Sequence, residues 1–412
     1  MPPPMVAYTS FAAFLFCALA LVVPSGSSYG AALLFLGGAV LLWRRPPLGL
    51  KRDDRLLCWL FAGYFLLYAF ENALQHAALR DYDAPARFLL AVPVVLVLCA
   101  WPPRATAFWG GVGVGAIGAG IFALFHQQTV RQLTFGGVTN PIQFGNISIV
   151  LGMLALAGIG WALQQPRRFW WTALLALGAA GGILGTILSN SRGSWLALPV
   201  CLCIVAIHYA LTHGRRVLVM GIGATLVLIG GLYAQPHSEV RQRSDLAEQE
   251  VQAYLNGRTN DSSGTSVGQR LEMWRVGATL IPGHLLLGVG KQGYLDGKQA
   301  LIDAGKANPA IAPHTHLHND YLDALVKRGV PGLLATLAVL FAPLWLFGRH
   351  IRGSGAVQPY AAAGVLLSTC YIVFGLTQAF FTHNNGVMVF AFSMAILWAL
   401  LRQHLPPPIR TP

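Results

Sequence analysis

Charge is what this sequence has least of. Only 10% of its 412 residues are charged and 55% are hydrophobic, where a soluble domain is about one quarter charged, so a freely soluble globular chain is excluded. Acidic residues are scarcest, fifteen against twenty-eight Lys and Arg. None falls inside an apolar run, so a proton or cation relay built on intramembrane carboxylates lacks its groups. The six cysteines (Cys17, Cys58, Cys99, Cys201, Cys203, Cys370) all lie in apolar runs, so no disulfide framework is implied. Internal repeats and low-complexity segments are missing. The stretch LGVGKQG has no preceding strand and no phosphate-cradling spacing.

What is present is length in the apolar runs. About 20 helical residues cross a bilayer, and twelve runs qualify: Val6 to Val23, Tyr29 to Trp43, Leu56 to Phe70, Phe88 to Trp101, Ala105 to Phe125, Ile147 to Leu163, Phe169 to Leu188, Trp195 to Leu211, Val217 to Tyr233, Leu333 to Phe347, Ala361 to Phe380 and Val387 to Leu401. The expectation is an all-α polytopic membrane protein with about 12 transmembrane helices. The opening MPPPM has no basic leader, so the first run is taken as a retained span, with a cleaved signal peptide as the alternative. With both termini inside, fourteen Lys and Arg fall in inner segments, Arg44, Arg45, Arg167, Arg168 and Arg402 among them, against Arg80, Arg87, Arg131 and Arg192 in short outer loops. The positive-inside rule therefore sets both termini in the cytoplasm. The net charge of +13 fits attraction to anionic lipid and calls for no nucleic acid.

The chain divides into spans 1–9 (residues 1–234), one large outer loop (235–332) and spans 10–12 with the C-terminus (333–412). Inside the loop, Glu239 to Leu255 reads as a surface helix. VGQRLEMWRVGATLI is helical with Leu271, Trp274 and Leu280 packed, IPGHLLLGVGKQGY is a glycine-punctuated turn, and LDGKQALIDAG is another short helix. The loop closes with HTHLHNDYLDALVKRGVPG, where Asn319 or Asp320 can cap a helix carrying Tyr321, Leu322, Leu325 and Val326. That sets His318 at the start of this helix, close to the membrane.

Several polar groups here could carry chemistry. Arg192 in SNSRGSW can hold two oxygens of a lipid-linked phosphate or simply snorkel to water. Arg270 and Arg275 flank Trp274, so a cation–π pair is as natural as an anion contact, and their five-residue spacing points them apart. His314, His316 and His318 alternate, and in an extended segment they share a face. Zinc binding is one reading, base catalysis by a neutral imidazole another, ordinary loop histidines the third. Asp81 and Asp83 in RDYDAP could hold a divalent ion, though paired carboxylates in a polar loop are common.

In this order, SNSRGSW, QRLEMW, LLLGVGKQGY and HLHNDYLDALVKRGVPG resemble the O-antigen ligase and polymerase family of bacterial envelope enzymes, over roughly Ile147 to Gly332. The resemblance implies a GT-C-like glycosyltransferase with one large helical periplasmic loop, no metal and no cofactor. Its donor would be undecaprenyl-pyrophosphate-linked O-antigen and its acceptor a sugar of lipid A core, at the periplasmic face of the bacterial inner membrane among membrane lipids. By position, Arg192 and Arg270 match the family's functional arginines, His318 its functional histidine and His316 the histidine position before it. Asn319 and Tyr321 would orient His318 or the acceptor, with a helix cap and a packing aromatic as the plain alternatives, and Arg275 is a further supporting candidate. Many relatives carry an acidic residue where this chain has Lys327 and Arg328, so that position is given no role. The rivals are an O-antigen polymerase or protein O-oligosaccharyltransferase using the same donor, a lipid-linked oligosaccharide flippase, and a zinc hydrolase built on the three histidines.

Overall fold

The computed structural model describes residues 4–126, 139–213, 266–353 and 355–405, with isolated residues between 214 and 265. The described residues form thirteen α-helices and no strand: α1 Pro4–Ala18, α2 Gly26–Arg44, α3 Arg52–Leu74, α4 Asp83–Ala100, α5 Ala105–Phe125, α6 Pro141–Ala162, α7 Arg168–Leu188, α8 Arg192–His213, α9 Ser266–Leu280, α10 Gly290–Asp303, α11 Asp320–Gly348, α12 Gln358–Gly375 and α13 Asn384–Arg402. An all-helical body follows from the solvent, because in hydrocarbon a helix satisfies its backbone within itself.

Among the described residues, eight helices are long and apolar enough to cross a membrane: α2, α3, α4 with the turn before it, α5, α6, α7, α11 and α13. Of the other expected spans, the run Val6–Val23 falls on the shorter apolar helix α1 and Trp195–Leu211 on the 22-residue α8. Ala361–Phe380 falls on α12, 18 residues with two tyrosines, Ser, Thr and Gln, nearly all buried, and Val217–Tyr233 lies outside the described residues. The expected surface helix Glu239–Leu255 also lies largely outside them.

Small residues let the helices close on one another, as packing between membrane helices requires when water supplies no driving force. A Cβ placed on Gly120 of α5 would lie 2.7 Å from Gly181 Cα of α7, and one on Gly182 would lie 2.6 Å from Gly152 Cα of α6. These backbone contacts bind α5, α6 and α7 into one layer.

One end of the bundle is tied by charge. Asp54 of α3 is fully buried and accepts from Arg402 Nε (2.9 Å) and Trp398 Nε1 (2.8 Å) of α13. Arg402 also donates to the carbonyls of Cys99 (3.2 Å) and Gly49 (2.8 Å), and Arg349, the C-cap of α11, pairs with Asp53. At the opposite end the expectation that no acidic residue enters a span is corrected. Glu71 sits in the last turn of α3, 1% exposed, 3.3 Å from Arg328. The helix runs past its apolar stretch because this cation offsets the cost of burying the carboxylate.

The large loop also departs from expectation. On α9 the expected Trp274 and Leu280 do pack, partly buried, against Tyr294, Leu317 and Val326, but Glu272, Met273 and Val276 are buried as well, the last two with Ala307 and Ile311. Helix α10 begins at Gly290, earlier than the expected LDGKQALIDAG helix. Helix α11 continues from the loop into the span, broken only at Gly329 (φ 63°, ψ −162°), a backbone region open to glycine.

The Asp54 clamp leads to a prediction. Asp54→Ala leaves Arg402 without its carboxylate, and breaking such a buried pair costs roughly 3 kcal/mol. The variant should melt several degrees lower in a detergent thermal-shift assay, and Asp54→Asn, which keeps the Trp398 acceptor, should lose less.

Candidate active site

The residues from His314 to Asn319 are irregular backbone held from all sides. Lys298 of α10, 2% exposed, donates to the carbonyls of Ala312 (2.7 Å) and His314 (2.6 Å) and more weakly to that of Ile311 (3.3 Å). Lys327 of α11 donates to Thr315 O (2.9 Å) and pairs with Asp323 (2.6 Å). Asp323 Oδ1 accepts from Leu317 N (3.0 Å), and Trp274 Nε1 donates to Leu317 O (2.8 Å). Leu317 itself is buried with Tyr294 and Val326.

The next residues fasten the segment to the link between α12 and α13. Asn319 is the N-cap of α11, accepting from Leu322 N (2.9 Å) while its amide donates to Leu376 O (3.2 Å). Asp320 accepts from Phe380 N (3.0 Å) and Phe381 N (3.2 Å), and the Tyr321 hydroxyl donates to Ile372 O (2.7 Å). Asn319 and Tyr321 thus act as cap and clamp.

Between these fixings His318 adopts φ 50°, a left-handed conformation uncommon for a side chain with a Cβ. Its Nδ1–H donates to Gln378 Oε1 at 2.5 Å, and Gln378 Nε2 donates to His383 Nε2 at 2.9 Å. With the Gln378 amide oriented so, His318 keeps the tautomer whose Nε2 bears a lone pair. The His316 ring lies 4.3 Å from that of His318, the His314 ring 5.3 Å, and the His383 ring 5.6 Å from that of His316. The three histidines do cluster, by a tight turn and not by the shared face of an extended strand. His314 Nε2 is spent on Gln269 Oε1 (3.0 Å).

Electrostatics keep this cluster neutral. Burial pushes the His318 pKa down to about 2, helped by His316 and by the Arg270 guanidinium. Burial likewise lowers His316 and His314, the latter also through Lys298 and Arg270, and pushes His383 down to about 4. Arg270 of α9 is therefore near enough for its charge to bear on His318.

The other expected residues divide. Arg275 is joined to Glu272 (2.7 Å) and to Lys306 O (2.6 Å), where it knits α9 to the loop after α10. Arg192 is the first residue of α8, and its side chain lies outside the described residues. Its neighbour Gly193 approaches so closely that a Cβ there would meet Thr377 Oγ1 at 2.3 Å, so the Ser-Arg-Gly turn abuts the residue before Gln378. Asp81 is taken up by Lys291 of α10.

A cavity of about 650 Å³ opens beside the cluster, walled by His316, His383, Asp320, Asp323, Lys327 and Arg328, with Tyr64 and Tyr68 stacked at 4.1 Å between ring centroids. His318 does not line it and stands behind His316. Asn190 Oδ1, Thr377 Oγ1 and His316 Nδ1 are buried without hydrogen-bond partners among the described residues, an uncommon cost that a polar ligand would relieve. Sequence reasoning missed Gln378 and His383, which lie at and just beyond the end of an apolar run. The signal was there in the polar cluster THNN between two such runs. It also gave no role to Lys327 and Arg328, both of which wall the cavity.

An uncharacterized protein of Haemophilus influenzae is 24% identical over 382 residues, covering 92% of this chain and 94% of that protein. Residues 177–337 match the family model for O-antigen ligase. The match takes in the Ser-Arg-Gly turn, α9, α10 and the His318 segment, and over that stretch this helical membrane protein is similar to the O-antigen ligase family.

Proposed function

We infer that the protein transfers O-antigen polysaccharide from undecaprenyl pyrophosphate to a sugar hydroxyl of lipid A core, on the periplasmic side of the bacterial inner membrane. Both termini are then cytoplasmic, and residues 235–332 form the periplasmic part between the spans of 1–234 and 333–412. The observation that carries this reading is the His318–Gln378 bond (2.5 Å). It commits Nδ1 as donor and leaves Nε2, on a neutral ring beside the Arg270 charge, as a proton acceptor.

The reaction is a single displacement. The acceptor oxygen attacks the anomeric carbon, the bond from that carbon to the pyrophosphate oxygen breaks, and the hydroxyl proton passes to His318 Nε2. Undecaprenyl pyrophosphate leaves with the bonding electrons, and Arg270 with Arg192 stabilises its growing charge, work that fixed cations perform without reorganisation and without a metal. One base and no carboxylate nucleophile call for inversion at the anomeric carbon.

A pKa near 2 makes His318 a weak base in the empty site. A pyrophosphate bound at Arg270 offsets that part of the depression, while burial, its leading cause, remains. General base catalysis contributes about 10²- to 10⁴-fold, and His318→Ala should lose about that much.

The test mixes purified protein, lipid-linked O-antigen and lipid A core with excess chelator. Wild type should give laddered lipopolysaccharide and a folded His318→Ala should not. Longer glycan on the donor lipid without lipopolysaccharide would make the protein a polymerase, and full activity in His318→Ala would remove the base. Product stereochemistry is a separate check, since retention would exclude the single displacement.

The pH profile tests Gln378. In the wild-type free enzyme His318 is neutral throughout pH 5 to 8, its pKa lying far below, so its titration places no acidic limb on kcat/KM in that window. Gln378→Glu puts a carboxylate on Nδ1–H and raises the pKa, so imidazolium accumulates as pH falls and an acidic limb should appear. Gln378→Leu should lower the rate at every pH without that limb. An unchanged profile in Gln378→Glu would mean that Gln378 only packs.

A further inference from the structure

The turn between α9 and α10 exposes three consecutive leucines. Leu285, Leu286 and Leu287 are 52%, 78% and 52% exposed, an arrangement that water disfavours and that marks an interaction site. The turn cannot swing away, because it is stitched to both sides of the break in α11. Val289 N donates to Val326 O (2.9 Å) before the break, and Val330 N donates to Leu285 O (2.7 Å) after it. The fit is close enough that a Cβ on Gly329 would lie 2.4 Å from Leu285 O, and one on Gly288 2.2 Å from the Lys327 carbonyl carbon. Gln75, at the end of α3, donates to Leu287 O (3.4 Å).

These bonds fix the depth of the leucines. Residues 330–348 of α11 rise about 28 Å at 1.5 Å each, close to the roughly 30 Å of a bilayer's hydrocarbon, so Val330 marks its edge and Leu285 is bonded to it. Two apolar stripes also converge here: Leu66, Phe70 and Leu74 along α3, 56%, 58% and 52% exposed, and Val330 with Leu334 on α11, 39% and 58% exposed. Both helices are long and apolar enough to span, so the leucines continue a lipid-facing surface.

We propose that Leu285–Leu287 form a wedge immersed in the acyl chains of the leaflet on the site side, independently of the reaction catalysed. The wedge holds α9 and α10 at a fixed height. Through Val326 and Lys327 it holds the helix that begins beside His318.

The test is a spin label on Leu286→Cys, with Cys58 and Cys203 replaced by Ser, in vesicles of phosphatidylethanolamine and phosphatidylglycerol. Labels at Leu334→Cys and Ala304→Cys serve as lipid-facing and water-facing references. The ratio of oxygen to nickel-complex collisions at Leu286 should match Leu334 and exceed Ala304 several-fold, with no donor lipid present. A ratio like that of Ala304 overturns the proposal. So does a ratio that rises only after undecaprenyl pyrophosphate is added, which would make the leucines a seat for the polyprenyl tail. Leu285→Cys and Leu287→Cys read the same depth should the first variant fold poorly.

Discussion

An irregular stretch of chain has no ladder of its own, so wherever its backbone is withdrawn from water the partners must come from the rest of the protein. Residues 311 to 318 meet that demand with two buried lysines. Lys298 gathers three carbonyl oxygens and Lys327 a fourth while paired with Asp323. A lysine taken from water needs such partners to stay charged, so loop and lysines stabilise one another. The left-handed turn at His318 persists because everything around it is already fixed.

The same arrangement explains why the site is positively biased yet its histidines are neutral. Burial opposes a further proton on each of them, and charge adds to it, from Lys298 and Arg270 at His314, from Lys327 against the contrary pull of Asp323 at His316, and from Arg270 at His318. An anion entering such a place meets cations already held in position, and the imidazoles become more basic as those cations are neutralised. Cation placement and proton acceptance are thus coupled through one field.

Hydropathy made the bundle legible, and capping chemistry made the start of α11 legible, because both are local: a run of apolar residues, or an asparagine ahead of a helix, carries its meaning within a few positions. The packed side of α9 was legible only in part, for Trp274 and Leu280 pack as expected while Met273 and Val276 form a second buried side with Ala307 and Ile311 that no single apolar stripe announces. Glu71 and Arg328 were illegible as a pair, standing 257 positions apart in the chain. Lys327 and Arg328 were set aside because a cation in place of an expected acid has no meaning until Asp323 and Glu71 are seen against them.

Gln378 shows most clearly what only the fold supplies. Sixty residues separate it from His318, and it closes an apolar run as an ordinary polar residue might. Only the close approach of the Ser-Arg-Gly turn to Thr377, together with the Asp320 bonds to Phe380 N and Phe381 N, holds its amide between two imidazoles. An amide suits that place better than a carboxylate would. It orients the Nδ1 proton without adding negative charge, so the positive field of Arg270 at His318 is left undiminished.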